Sequence, residues 1–92
     1  MVECHVVIVN RLGLHARAAS QVVRLASRFQ STIKLERMDG SAMADAKSIL
    51  SVLMLAAARG TELRLTAEGV DEKEALDELC ELFAKGFGEA EK

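Results

Sequence analysis

The chain contains no proline, tryptophan or tyrosine, and it has only two cysteines and three aromatic residues, all phenylalanine. Each shortage narrows what the protein can be. With no aromatic residue in any strand-like segment, a base-stacking platform for nucleic acid is disfavoured. The net charge of −2, from 12 basic and 14 acidic residues, argues against binding nucleic acid through phosphate contacts. The longest apolar stretch, residues 49–58, is about half of the ~20 residues a membrane-spanning helix needs. The opening Met1–His5 carries Glu3 where a secretory leader would carry Lys or Arg. A cytoplasmic protein that does not engage a membrane is therefore expected. Cys4 and Cys80 allow at most one bridge, and in such a compartment they are expected as two reduced, partly buried thiols. No metal-ligand spacing occurs, so neither metal nor cofactor is expected.

What is present describes one folded domain. Leu, Ile, Val and Phe make up 26 of the 92 residues, enough apolar material to exclude disorder. No linker or repeat interrupts the chain, which reads as a single domain over 1–88 with a short tail at 89–92. Residues 2–9 alternate, with Cys4, Val6 and Ile8 on one face, and form a first strand. From Ala16 to Phe29 the apolar residues recur at helical spacing. Thr32–Met38 alternates again, and Asp39-Gly40 signals a hairpin into a short strand over Ser41–Asp45. A second helix is expected over Ser48–Arg59, capped by Gly60, and a fourth strand over Thr61–Glu68. A third helix begins at Asp71, with Glu74 in capping-box spacing, and ends near Gly86. The order is βαββαβα. Alternating strands leave one sheet face polar, so all the helices must share the other face of an α+β fold with an antiparallel or mixed four-stranded sheet.

The chemistry concentrates in Asn10-Arg11-Leu12-Gly13-Leu14-His15-Ala16-Arg17. Gly13 permits a sharp turn, and His15 then occupies the cap of the first helix. The unpaired amides of the first turn, those of Ala16 and Arg17 among them, carry the positive end of the helix dipole and suit a tetrahedral anion. Arg17 adds a permanent cation able to hold phosphate oxygens. Neutral imidazole is a nucleophile, and phosphoryl transfer is catalysed largely by positioning and charge stabilisation. The dipole contributes about 0.3–2 kcal/mol, a modest amount that suits a group which must be released again. A histidine at a helix start is also common as a plain cap, so the spacing alone is a weak signal.

L-G-L-H-A-R-A-A, followed by D-A-K-S-I-L-S-V-L-M-L-A-A-A-R-G, resembles HPr, the histidine-containing phosphocarrier family of the bacterial phosphotransferase system. The resemblance runs from Val2 to about Gly88. It implies an open-faced β-sandwich with three helices on one side of a four-stranded sheet. It also implies that His15 accepts a phosphoryl group on Nδ1 from enzyme I, with Arg17 facing the phosphate, and that the group passes to an A-type enzyme II domain. The protein would then be a carrier, not a turnover enzyme. Ser48 matches the serine that a dedicated HPr kinase/phosphorylase modifies in many members, although serine is also an ordinary N-cap. Ala18 stands where the family usually has proline, and alanine restrains the backbone of the site less. V-L-M-L-A-A-A-R-G and L-F-A-K-G-F are more similar to the nitrogen-branch form than to the sugar-transport form.

Residues 49–58 are apolar nearly all round, so some must face outward. Leu14, Leu50, Leu53 and Met54 are the candidates for a partner-docking patch, with Ser20, Arg24 and Arg28 as its polar border. His5 lies on the polar sheet face with nothing arranged around it and serves as a control. Two rival readings compete with the relay: a non-relaying regulatory protein controlled through Ser48, and a small anion- or nucleic-acid-binding module. A monomer is expected, since the site must meet two partners in turn.

Overall fold

The structure, a computed structural model, describes residues 1–88; the expected tail at 89–92 lies outside them. The strands are β1 (Val2–Val7), β2 (Thr32–Arg37), β3 (Met43–Asp45) and β4 (Glu62–Glu68), and the helices are α1 (Ala16–Ala26), α2 (Ile49–Leu53) and α3 (Glu72–Ala84). A 3₁₀ turn follows at Gly86–Gly88. The strands lie in the order β1-β4-β2-β3, and every pairing is antiparallel, which closes the choice between an antiparallel and a mixed sheet. Register follows the hydrophobic pattern. Cys4 lies opposite Leu65 and Leu65 opposite Leu35, so the apolar alternates of three strands share one face.

That face is covered by Ala18, Ala19, Val22 and Ala26 of α1 and by Ala75, Leu76, Leu79 and Phe83 of α3, all buried. α3 lies directly against β1 and β4, and α1 packs beside it against α3 and α2. The opposite face carries Lys34, Glu36, Arg64 and Thr66, with Arg64 3.7 Å from Glu36. The β2–β3 hairpin turns at Gly40, whose φ is +77°.

Three expectations are corrected. The second helix is a single short turn and does not reach Arg59. Leu55 and Ala57 are pulled into the core, and Ala56 adopts a left-handed φ of +51°, so the chain leaves the helical path long before Gly60. Gly60 instead donates its amide to the Ile8 carbonyl at 2.8 Å. The capping box on α3 does not form either, because Asp71 makes no side-chain cap bond. Its carboxylate reaches across the fold to the amides of Gln30 (2.9 Å) and Ser31 (3.0 Å) and to the Ser31 hydroxyl at 2.5 Å. These donors hold Asp71 below the usual carboxylate range, the Ser31 hydroxyl foremost. Finally, Cys4 of β1 and Cys80 of α3 are joined in a disulfide rather than left as two thiols. The packing of α3 against β1 brings together two residues 76 apart in sequence.

Candidate functional site

The loop from β1 to α1 is built by backbone contacts that the sequence foreshadows only in part. Asn10 is buried, and its side-chain amide donates to the Gly13 carbonyl at 2.8 Å. The Gly13 amide in turn donates to the Asn10 carbonyl at 3.2 Å. Gly13 has a φ of +68°, and a Cβ there would stand 2.6 Å from the Ala57 carbonyl oxygen. Glycine is thus required twice, for the left-handed turn and for the close passage of the segment after α2. Leu14 is 5% exposed and donates its amide to that same Ala57 carbonyl at 2.9 Å. The loop is pinned on both sides of the residue that precedes His15.

His15 is the N-cap of α1, with extended backbone angles (φ −77°, ψ −178°). It is neither buried nor fully exposed, and its Nδ1 accepts from the Arg17 amide at 3.3 Å. In the neutral ring, an accepting Nδ1 places the proton on Nε2. The nucleophilic lone pair of the unprotonated nitrogen is therefore the one aimed at the Arg17 amide in the first turn. A phosphoryl group on that nitrogen would lie among these donors, at the positive end of an 11-residue helix whose first turn holds no acidic residue. Ala16 and Arg17 are both exposed, as an incoming donor requires. Arg17 takes part in the described geometry through its backbone amide. Ala18, in the place of the family's proline, is fully buried.

The structure divides the expected docking residues. Leu50 (66% exposed) and Met54 (74%) stand out from the surface, Arg24 is exposed, and Ser20 is half-buried. Leu14 is core, not surface. Its position next to Gly13 turns it inward, where the hydrogen bond from its backbone amide to the Ala57 carbonyl holds it. Leu53 is half-buried and packed against the core, so it contributes little outward area. Leu12 (64%) and Ile49 (42%), neighbours in sequence of the expected Leu14 and Leu50, are exposed as well. An apolar residue immediately before a turn glycine was the available signal for Leu12. Ser48 caps α2, accepting from the Ser51 amide at 3.3 Å, and is half-buried. His5 lies on the open sheet face, 3.6 Å from Glu3. Among the described residues no group of three or more His, Cys, Asp or Glu could hold a metal ion, and no helix is long and apolar enough to cross a membrane.

Comparison with known proteins identifies the family. Residues 2–85 match the family described as the PTS HPr component phosphorylation site. A phosphocarrier protein HPr of Cupriavidus necator is 45% identical over 91 residues, covering 99% of this chain and all of the relative. A phosphocarrier protein NPr of Proteus mirabilis is 44% identical over 84 residues, covering 91% of this chain and 92% of the relative. The crystal structure of an HPr from Thermoanaerobacter tengcongensis superposes with a TM-score of 0.92 at 40% identity, over 99% of this chain and all of that one. HPr and NPr relatives match almost equally well. The chain belongs to the HPr family of phosphotransferase-system phosphocarriers, proteins that carry a phosphoryl group rather than turn over a substrate.

Proposed function

We propose that His15 accepts a phosphoryl group on Nδ1 from phosphorylated enzyme I, charged by phosphoenolpyruvate, and passes it to an A-type enzyme II domain. The observation that carries this reading is the Nδ1 of His15 held 3.3 Å from the Arg17 amide at the start of α1. In the transfer, the Nδ1 lone pair forms a bond to phosphorus as the bond to the donor's leaving atom breaks, while the ring proton stays on Nε2. The Arg17 amide, released from Nδ1, then donates to a phosphoryl oxygen, and the Arg17 guanidinium balances the remaining charge. The amide moves only from the nitrogen to an oxygen of the group bound to it, so little reorganisation is needed during the step. The same stabilisation is small enough for the reverse bond exchange onto the next acceptor.

Leu50 and Met54, joined by Leu12 and Ile49, form the apolar part of the docking surface, bordered by Ser20, Arg24 and Arg28. Phosphorylation of Ser48 by an HPr kinase/phosphorylase would place a dianion beside Leu50 at the cap of α2, where it would alter docking more than folding. The reading places a monomeric carrier in the cytoplasm. Incubation with enzyme I and labelled phosphoenolpyruvate tests it. An acid-labile, base-stable label that disappears in His15→Ala is expected. No label on the unaltered chain refutes the relay and leaves the regulatory role of Ser48.

A further inference from the structure

Arg37, the last residue of β2, lies 22 positions from His15 in sequence, yet its side chain is directed toward the segment on which the His15 loop rests. Its Nη1 donates to the Leu55 carbonyl at 3.0 Å and to the Ala56 carbonyl at 3.3 Å. Its Nε is 3.5 Å from the Asp39 carboxylate, which fixes the guanidinium from the hairpin side. Between those two carbonyls, Ala56 takes the left-handed φ of +51°, a conformation that costs an alanine about 1–2 kcal/mol and persists only where the surroundings enforce it. The following carbonyl, that of Ala57, receives the Leu14 amide at 2.9 Å and lies against Gly13. The sequence of contacts is therefore continuous: Asp39, Arg37, the carbonyls of Leu55 and Ala56, the Ala57 carbonyl, the Leu14 amide, His15.

We infer that Arg37 is a positioning residue for phosphoryl transfer, acting by fixing the 55–57 carbonyls against which the Gly13-Leu14 turn sets His15. This rests on the phosphocarrier reading. Arg37 touches neither His15 nor a phosphoryl group. Its part is to keep the Ala57 oxygen where Leu14 needs it, and a displaced Ala57 would let the ring drift from the α1 amides. A planar guanidinium lets Nη1 meet both carbonyls while Nε faces Asp39, a division of donors that a single ammonium does not match.

The test compares Arg37→Met and Arg37→Lys with the unaltered chain in three measurements: steady-state transfer from phosphorylated enzyme I with the carrier as varied substrate, hydrogen exchange of the Leu14 amide, and the ring chemical shifts of His15. For Arg37→Met, a fall of about tenfold in kcat is expected, in line with the cost of small misplacements remote from the chemistry. KM should stay within about twofold because Leu50 and Met54 still present the docking face. Leu14 exchange should speed up, and the His15 shifts should move. Arg37→Lys should recover part of each effect, and it carries the same comparison should the methionine variant fail to fold. Unchanged kcat with unchanged Leu14 exchange overturns the inference and leaves Arg37 as a hairpin brace. A lower kcat with Leu14 unchanged also overturns it, since the route would then bypass the loop. If the unaltered chain takes no phosphoryl group, the carrier reading fails separately, while the exchange and shift measurements still decide whether Arg37 positions the loop.

Discussion

Replacing Gly13 by alanine isolates what the turn before His15 contributes, because a second glycine supplies the control. Gly13 has a φ of +68°, and an added Cβ would meet the Ala57 oxygen at 2.6 Å and the Ala58 Cα at 3.0 Å. Gly40, at φ +77°, has nothing within 4 Å of an added Cβ. Both substitutions place an L-residue in the left-handed region, at about 1–2 kcal/mol each. Only Gly13→Ala also forces a contact to open. To reach ordinary separation, the loop and Ala57 must part by about 0.8 Å, and a move of that size along the bond takes the 2.9 Å Leu14–Ala57 hydrogen bond out of range. Losing that bond adds about 1 kcal/mol. Gly40→Ala should therefore cost about 1–2 kcal/mol and Gly13→Ala about 2–3 kcal/mol. For a domain of this size the latter lowers the melting midpoint by roughly 10–20 °C. Urea titration of both variants, with hydrogen exchange at Leu14, measures the difference. Phosphoryl transfer should fall in Gly13→Ala and not in Gly40→Ala. Equal destabilisation of the two, with Leu14 as protected as before, would refute the claim that the close passage of residues 57–58 holds the site.

Three further outcomes are expected. Reducing the Cys4–Cys80 disulfide frees a loop of 76 residues, which on loop-closure entropy lowers stability by up to about 4.5 kcal/mol; urea titration with and without reductant reads this, and coincident curves refute it. The same pair of titrations shows how stable the protein is in each redox form. Arg17→Ala should slow transfer from enzyme I while leaving the unfolding free energy from urea titration within about 0.5 kcal/mol, since the side chain is exposed; unchanged transfer would remove Arg17 from the site. Asp71, Glu72 and Asp39 all have carboxyls held below their ordinary values, Asp71 by Ser31 and Gln30, Glu72 by the Gly69 amide and Asp39 by Ser41. Their contribution is complete above the ordinary carboxylate range and is lost as pH falls through the lower folded values. Urea midpoints should thus decline below about pH 4, with a shallower decline in Asp71→Ala; an identical acid limb in that variant would contradict the assignment.

The local geometry of the candidate site was legible because its residues sit within one short segment. The spacing of Gly13, His15 and Arg17 placed an imidazole at a helix start, and the structure puts its Nδ1 on the Arg17 amide. Leu14 could not be read the same way. In a loop, side-chain direction follows from what the backbone is tied to, and the tie to Ala57 spans 43 positions. Leu50 and Met54 differ from Leu55 only in which side of a short turn they occupy. Asn10 and Arg37 went unnoticed because a polar residue that braces a backbone leaves no periodic signal.

The sequence by itself determined the order and kind of the elements, the apolar face of each strand, the hairpin at Asp39-Gly40 and the place of His15 at the start of α1. All of these rest on period, turn chemistry or capping, which operate over a few residues. Only the tertiary structure decided where α2 stops, that Asp71 serves Ser31 instead of its own helix, that Cys4 reaches Cys80 and that Arg37 holds the floor beneath Gly13. In each case the local preference was outweighed by a partner distant in the chain. Residues 56–58, three alanines, would continue a helix on propensity alone, but the burial of Leu55 and Ala57 and the demand of the Leu14 amide for a carbonyl draw them out of it.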